Sequence, residues 1–256
     1  MKTFVLIVLA TFTAVAVAEN TQRTGADQAK AQRTAQQVSQ YSSTSCQSTF
    51  TSFAGNSYLS FCVSGNGNVS TLESPKTFSQ IFLGGEGYGI CDMTKQVSYD
   101  DWGVYGDSNN WFDSVLTQPN GPNTFPLTIT RSTLDGAWTL KQVFSRNSSA
   151  PSVTIKMTLK NNSSASKSVE LARFADIDAD GTSDGDSFDY NRLSSWGSQH
   201  SALGHGLMMH SPVAEIQGGS SYLPAIRTPA TPSSYRPLTV AMLPRFTNGC
   251  DMKLHV

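Results

Sequence analysis

The sequence predicts an all-β fold, an antiparallel β-sandwich, and three observations support this fold class. Phe, Tyr, Val, Thr and Ser dominate the body of the chain, and Gly, Pro and Asn interrupt it often. Helical periodicity is rare, whereas residues 124–175 alternate apolar and polar side chains over successive short segments. No internal repeat of about 20 to 50 residues is present in the sequence, which disfavours a propeller or a solenoid.

The N-terminus has the layout of a secretory signal peptide. Lys2 precedes an apolar run, Phe4 to Val17, which ends in the small-residue pattern Ala16-Val17-Ala18. The run is shorter than the roughly 20 residues that span a bilayer. We therefore expect residues 1–18 to be removed and the protein to be secreted, to an extracellular or periplasmic location, without a membrane span. The alternative is an uncleaved membrane anchor.

Residues 19–45 differ in composition from the rest of the chain. They are rich in Ala, Gln, Ser and Thr and contain almost no large apolar side chain. Because such a segment buries little surface, we expect a disordered or partly helical N-terminal arm, with a transient helix over Ala26 to Val38. Residues 46–256 then form a single β-sandwich domain.

The body begins with a strand over Tyr58 to Val63, a tight turn at Asn66-Gly67 and a second strand from Val69. Residues 124–175 predict an antiparallel meander, because four alternating segments are separated by short turns. Its segments are the run around Leu127 and Ile129, Ala137 to Ser145, Val153 to Leu159 and Lys167 to Ala175. One apolar face of such a sheet needs a cover, and a second sheet gives a sandwich.

The C-terminal part is less regular. Gly206 to His210 and Leu238 to Leu243 are expected strands. The prolines between them exclude a central strand and indicate a surface loop; they are Pro224, Pro229, Pro232 and Pro237.

Charge and cysteine content restrict the function classes. Without residues 1–18 the chain has 17 basic and 19 acidic residues, so no basic field is available for nucleic acid. Four cysteines predict two disulfides in an exported protein, with three possible connectivities. They are Cys46, Cys62, Cys91 and Cys250.

The stretch "FADIDADGTSDGD" is the first candidate site. Its carboxylates alternate and Gly181 allows a bend, a pattern typical of a loop that wraps one cation, and calcium prefers such hard oxygens. The candidate ligands are Asp176, Asp178, Asp180, Asp184 and Asp186. The stretch resembles the D-x-D-x-D-G calcium loops of EF-hands, dockerins and integrin-type repeats, but Ser187 stands where an EF-hand has Glu. An ion-free polar loop and a catalytic carboxylate pair are the alternatives.

The stretch "SYDDWGVYGDSNNWFD" is the second candidate site. Its rings are either buried core or a platform for sugar rings; they are Tyr99, Trp102, Tyr105 and Trp111. Carboxylates about 5–9 Å apart can hydrolyse a glycosidic bond, and the candidates are Glu86, Asp92, Asp100 and Asp101.

Two further polar patterns are present. His200, His205 and His210 are interpreted as ordinary histidines, because odd spacing puts neighbours on opposite faces of a strand. Four Asn-x-Ser sequons are candidate glycan sites in a eukaryotic protein; they begin at Asn68, Asn147, Asn161 and Asn162.

A resemblance covers roughly Leu59 to Asp186. The segments "LESPKTFSQIFLGGEGYGICD", "TLDGAWTLKQVF" and "VTIKMTLKNNSSASKSVELARFADIDADG" resemble uncharacterised secreted bacterial β-sandwich proteins. They are also similar to supersandwich domains that accompany carbohydrate-active enzymes. The resemblance implies a secreted sandwich and brings no catalytic motif.

Three functions are compatible with the sequence. The first is a secreted, non-catalytic β-sandwich, stabilised by calcium and disulfides, that binds a glycan or a cell surface. The second is a carbohydrate-active enzyme, a glycoside hydrolase or lyase, that uses paired carboxylates. The third is a structural envelope or matrix protein.

Overall fold

The computed structural model describes residues 44–54, 57–182, 186–190, 194–199, 205–210, 215–220, 223–228, 244–247 and 251–254. The predicted signal peptide, residues 19–43 of the arm, Asp184, His200 and the expected strand at 238–243 lie outside these ranges. Within them the chain forms antiparallel β-strands and no helix of seven or more residues, which confirms the all-β prediction. None of the helical turns in these ranges is long and apolar enough to cross a membrane.

The strands, numbered in chain order, are β1 (Cys46–Ser52), β2 (Leu59–Ser64), β3 (Val69–Glu73), β4 (Glu86–Asp92), β5 (Val97–Asp101), β6 (Val115–Thr117), β7 (Leu127–Ser132), β8 (Trp138–Arg146), β9 (Val153–Asn161), β10 (Val169–Ala175), β11 (Asp186–Tyr190), β12 (Ser194–Gln199), β13 (Gly206–His210), β14 (Glu215–Ser220), β15 (Leu223–Thr228), β16 (Pro244–Thr247) and β17 (Asp251–Leu254). The described strands pair as β1-β2-β3, β14-β15-β10-β4-β5, β6-β7-β8-β9, β11-β12-β13 and β16-β17.

The sheet β6-β7-β8-β9 contains three of the four strands of the predicted meander, namely β7, β8 and β9. The expected fourth strand, Lys167 to Ala175, is wrong for this sheet, because β10 pairs with β4 and β15 in the opposite layer and β6 completes the meander instead. Leu127 and Ile129 of β7 are buried, while the threonines between them are half-buried. On β8, Leu140 and Phe144 are buried on the same face. Short connections join β7 to β8 and β8 to β9, and both pairings are antiparallel. The meander therefore presents one apolar face, as expected from the period of two.

The opposite layer covers that face. Tyr88, Ile90 and Leu171, from β4 and β10, form one core cluster with Trp138 and Met157 of the meander. The sheet β1-β2-β3 packs on β7 and β8 through a second cluster. The two layers thus enclose the core between them, which is the predicted sandwich. Every residue of β4 and β10 is buried, because a further cluster covers their other face.

The turn between β2 and β3 is buried inside the fold. Asn66 is 2% exposed and Asn68 is fully buried. Gly67 has φ +95, and a Cβ there would lie 2.4 Å from the Gln142 amide nitrogen, so the position requires glycine. The Asn-Gly pair forms a turn as predicted, but the turn is part of the core rather than of the surface.

Asp101 and Arg131 form a buried ion pair beside this turn. The Arg131 Nη1 donates to Asp101 Oδ2 at 2.8 Å, and the two side chains are 2% and 0% exposed. Asn66 Nδ2 and Asn68 Nδ2 also donate to the Asp101 carboxylate, each at 3.1 Å. The carboxylate is therefore held both by its counterion and by the turn.

Glu86 and Arg173 form a second buried ion pair at the same turn. Arg173 Nη2 donates to Glu86 Oε2 at 2.9 Å and to the Gly67 carbonyl at 3.0 Å. Arg173 Nη1 donates to Gln142 Oε1 at 2.6 Å. The backbone N–H of Val69 donates to Glu86 Oε2. Each ion pair thus binds the turn and at least two strands.

Disulfides are present, as the cysteine count predicted. Cys46 and Cys62 join β1 to β2, with 5.6 Å between their Cα atoms. Cys91 of β4 is also disulfide-bonded. Cys250 lies outside the described residues.

The C-terminal strands correct one expectation. β15 lies between β14 and β10, so the surface loop expected around Pro224 is wrong for residues 223–228. Pairing with β10 begins at Ala225, and β14 has a register shift between Gln217 and Ser220, opposite Pro224. The proline therefore occupies a position where no ladder N–H is required. The expected strand at 206–210 is present as β13.

Replacement of Asp101 by Asn tests the buried ion pair. We expect the free energy of unfolding to fall by about 3 kcal/mol or more, because Arg131 keeps a buried charge without its main counterion. Urea denaturation measures the change. The matched control is Lys95→Ala, which breaks an exposed pair with Asp135 at 3.1 Å and costs less than about 1 kcal/mol. Equal losses in the two variants would contradict the assignment.

Candidate functional site

The aspartate loop follows β10 directly and runs beside the segment 78–85. Phe82 N donates to the Asp176 carbonyl at 2.9 Å, and Asp176 N donates to the Gly85 carbonyl at 2.6 Å. Further along, Gln80 Nε2 donates to Asp180 Oδ1 at 3.0 Å. The loop therefore lies on the rim of the sheet, as predicted from its position after a strand, and is attached to a second rim segment.

Asp176 binds the hydroxyl of Tyr105, which donates to Asp176 Oδ2. The side chain is only 9% exposed. Burial and the charges of Asp178 and Asp186 together raise the pKa of Asp176 to about 6, and the hydrogen bond from Tyr105 opposes this rise. This contact brings together the two stretches that the sequence singled out, since Tyr105 belongs to the aromatic stretch.

Asp178 and Asp186 lie among like charges. Burial raises the pKa of Asp178 above its ordinary value. Burial also raises the pKa of Asp186, and the charges of Asp178 and Asp180 add to the rise. Asp186 Oδ2 accepts from Ala179 N at 3.1 Å, whereas Asp186 Oδ1 is buried without a hydrogen-bond partner among the described residues. A positive charge between these carboxylates would relieve their repulsion.

Asp180 is already satisfied by hydrogen bonds. Its Oδ1 lies 2.8 Å from His205 Nδ1 and accepts from Gln80, while its Oδ2 accepts from His205 N at 3.2 Å. Burial alone would raise the pKa of Asp180, but the bonds from Gln80 and His205 lower it. Asp180 has φ +60, a left-handed conformation that aspartate tolerates. Sequence spacing did not reveal the His205 contact, because the two residues are 25 positions apart.

No three His, Cys, Asp or Glu side chains in the described ranges are grouped closely enough to hold a metal. Asp184, one of the five predicted ligands, lies outside those ranges. Calcium binding by Asp176, Asp178, Asp180, Asp184 and Asp186 therefore stays a prediction.

The predicted aromatic platform is largely inside the protein. Tyr99, Trp102 and Trp111 are 2%, 4% and 6% exposed. Trp111 packs edge-on against Tyr99 and Tyr88, and the Arg131 guanidinium lies over its ring. This burial favours the core interpretation of the three residues. Tyr105 is half-buried and stacks on Phe82, with 6.3 Å between the ring centroids.

Exposed apolar side chains that the sequence did not single out lie in the segment 78–83 and at Val104, which precedes Tyr105. We call them, with Tyr105, the aromatic rim: Phe78, Phe82, Leu83, Val104 and Tyr105. Phe82 is 43% exposed and Leu83 68%. The Phe78 ring lies 5.0 Å from that of His205, which binds the other end of the aspartate loop. The rim therefore borders the loop at both ends. Large exposed apolar residues beside a loop were the signal that sequence reasoning missed.

Three of the four predicted catalytic carboxylates lie in the interior of the fold. Glu86, Asp92 and Asp101 are buried, and each is paired with a base: Arg173, Lys167 and Arg131 respectively. Burial raises the pKa of Glu86 to about 7, against the lowering by Arg173. Asp100 is half-buried, and its backbone N–H donates to the Ser108 hydroxyl oxygen at 3.1 Å. The pairing assigns the three buried carboxylates to the interior of the fold.

Comparison with known proteins adds little to this site. No protein-family model and no curated protein matches the chain. Among solved structures, the chain is similar to the crystal structure of a bacterial glucoamylase complexed with acarbose, with 9% identity and a TM-score of 0.47. The match covers 75% of this chain and 31% of that chain, so this protein spans less than a third of that enzyme. Likeness at this level does not bear on function.

The pKa of Asp176 predicts a pH effect on stability in EDTA. Its folded-state value, about 6, exceeds the ordinary 3.8, so the folded state binds this proton more tightly than the unfolded state. The contribution of Asp176 to stability therefore falls as pH rises from about 4 to about 6, by at most about 3 kcal/mol. Urea denaturation of the Asp176→Asn variant and of the parent protein measures this contribution as the difference between their free energies of unfolding at each pH. The variant should gain relative stability across that window; a constant difference would contradict the prediction.

Proposed function

We propose that this chain is a secreted, non-catalytic β-sandwich protein that binds a glycan on a cell surface. The aromatic rim and the aspartate loop form the binding site, and calcium occupies the loop. The observation that carries the proposal is the exposed Phe82 ring, stacked on Tyr105, whose hydroxyl binds Asp176. An exposed aromatic face thus lies beside the aspartate loop.

This combination suits the chemistry of a sugar. The C–H face of a pyranose packs on an aromatic ring, while its hydroxyls need hydrogen-bond acceptors and donors at the edge of the ring. Phe82 and Tyr105 supply the rings, and Asp176 and Asp178 supply carboxylates within the same rim. A wholly apolar partner would leave these carboxylates desolvated without partners, which is costly.

The electrostatics of the loop support the calcium part of the proposal. The pKa values of Asp176, Asp178 and Asp186 are all raised, and the charges of Asp178 and Asp186 contribute to the rise at Asp176. A calcium ion takes six to eight oxygen ligands and would remove this repulsion. It would also fix the loop against the rim.

Export is supported by the N-terminal sequence and by the disulfides. A disulfide between Cys46 and Cys62, together with a bonded Cys91, is typical of a protein that matures in an oxidising compartment. The signal-peptide pattern of residues 1–18 directs such a protein to the secretory pathway.

A non-catalytic role is favoured over hydrolysis because the buried carboxylates are neutralised. Glu86, Asp92 and Asp101 form ion pairs with arginine or lysine side chains inside the sandwich, where a polymer does not reach them. Hydrolysis of any polysaccharide by the purified protein would restore the enzyme hypothesis. Absence of glycan binding together with absence of hydrolysis would leave the structural envelope or matrix role.

Glycan binding is tested with Phe82→Ala. A glycan array with the disulfide-intact protein in calcium identifies a ligand, and titration calorimetry then measures its dissociation constant. We expect the variant to bind about tenfold more weakly, because it loses a stacking contact of about 1.4 kcal/mol. Val115→Ala is the matched control, since Val115 is 63% exposed on β6, outside the aromatic rim. Unchanged affinity in Phe82→Ala would refute the proposed site.

Calcium binding is tested by thermal unfolding. We expect EDTA to lower the melting temperature and added calcium to restore it, because a ligand that binds only the folded state stabilises it. At calcium 100 times its dissociation constant the gain is about 2.7 kcal/mol. The Asp178→Asn variant should lose most of the response. Identical melting curves in EDTA and calcium would exclude a stabilising calcium site.

A further inference from the structure

Gln80 has a buried amide oxygen without a partner at the edge of the aspartate loop. The residue is 1% exposed, and its backbone N–H donates to the Leu72 carbonyl at 2.9 Å. Its side-chain Nε2 donates to Asp180 Oδ1 at 3.0 Å. Its Oε1 is buried and accepts no hydrogen bond from the described residues. A buried oxygen without a partner destabilises the fold, so a group that binds it stabilises the fold.

The orientation of this amide is fixed by its neighbour. Asp180 Oδ1 accepts a hydrogen bond from Gln80 Nε2 at 3.0 Å, and a carboxylate oxygen is an acceptor, so the amide presents nitrogen and not oxygen to it. A flipped amide would bring two acceptors together. The oxygen therefore lies on the other branch of the amide whose nitrogen binds the loop at Asp180.

Two of the loop aspartates are engaged elsewhere. Asp176 binds the Tyr105 hydroxyl, and Asp180 binds both Gln80 and His205. The remaining carboxylates of the described loop are Asp178 and Asp186, and Asp186 Oδ1 is itself buried without a partner among the described residues. Two carboxylates supply too few oxygens for calcium, which regularly takes amide carbonyls as additional ligands.

We infer that Gln80 supplies its amide oxygen to the cation that Asp178 and Asp186 bind, and that Asp176 and Asp180 position the surrounding side chains. This inference rests on the proposed calcium site and adds a ligand from a segment distant in sequence. The cation then joins the segment 78–85 to the loop after β10. Since Phe78 and Phe82 flank Gln80, the same cation fixes the backbone that carries the aromatic rim.

The competing explanation is a buried water molecule on Gln80 Oε1. Water commonly satisfies such oxygens in polar interiors. The two explanations predict different effects of removing this oxygen. Removal weakens calcium binding if the oxygen is a ligand, and it leaves calcium binding unchanged if the oxygen binds only water, because a water-bound amide does not contact the ion.

Two variants of the full secreted protein separate the roles of the two amide atoms. Gln80→Leu removes both Nε2 and Oε1. Gln80→Glu removes the nitrogen donor to Asp180 but keeps an oxygen. Calorimetric titration with calcium alone measures the dissociation constant, and Gln118→Ala is the matched control. Gln118 is a glutamine at a different place in the fold. Unlike those of Gln80, both ends of its amide are bonded, to the Ser48 hydroxyl and to the Thr124 carbonyl.

We expect Gln80→Leu to weaken calcium binding at least about tenfold, while Gln80→Glu and Gln118→Ala bind about as tightly as the parent protein. If Gln80→Leu binds calcium as tightly as the parent, the oxygen binds water only and the inference is overturned, while the calcium site stands. Equal weakening in Gln80→Leu and Gln80→Glu also overturns it, because the role then belongs to the nitrogen. A parent protein that binds no calcium overturns both this inference and the calcium part of the proposed function.

Discussion

The buried turn Ser64–Asn68 is the constraint on which the rest of the fold depends. Two arginines from opposite layers contribute to this constraint: Arg131 of β7 pairs with Asp101, whose carboxylate accepts hydrogen bonds from the turn. Arg173 of β10 pairs with Glu86 and itself donates to the Gly67 carbonyl of the turn. Buried ion pairs gain little net free energy, but breaking one is costly, so such a network favours a single arrangement of the strands. A sandwich assembled in another register would leave two arginines unpaired in its core.

The same network positions the candidate site at the surface. Asp101 Oδ1 accepts from the backbone N–H of Gly103 at 3.2 Å, and a helical turn, Gly103–Tyr105, starts there. A Cβ at Gly103 would lie 2.0 Å from the Gly84 carbonyl oxygen, so the turn packs directly on the segment 78–85. Tyr105 ends this turn and binds Asp176. The rim is thus connected to the interior through backbone contacts, which gives a binding surface a rigid support.

The sequence predicted the strands that have one buried face and one more exposed face. Leu127 and Ile129 alternate with threonines, so β7 and its neighbours were identified from period alone. β4, with the sequence "EGYGICD", was missed because both of its faces are buried and no alternation results. Of the candidate site, the sequence singled out the loop and Tyr105 but not their contact. Gln80 and His205, which contact Asp180, are 100 and 25 positions away from it. Spacing within one segment does not encode such contacts.

The burial of Asn68 has a consequence for the maturation of the protein. Asn68 begins the sequon Asn68-Val69-Ser70, yet its Nδ2 donates to the Glu86 carbonyl and to Asp101, and the side chain is fully buried. A glycan attached to that nitrogen would have to leave the core or keep the two layers apart. In a cell that glycosylates nascent chains, Asn68 stays unmodified only if the sandwich closes before the transferase reaches it. A chain that is glycosylated at Asn68 first does not reach the native fold.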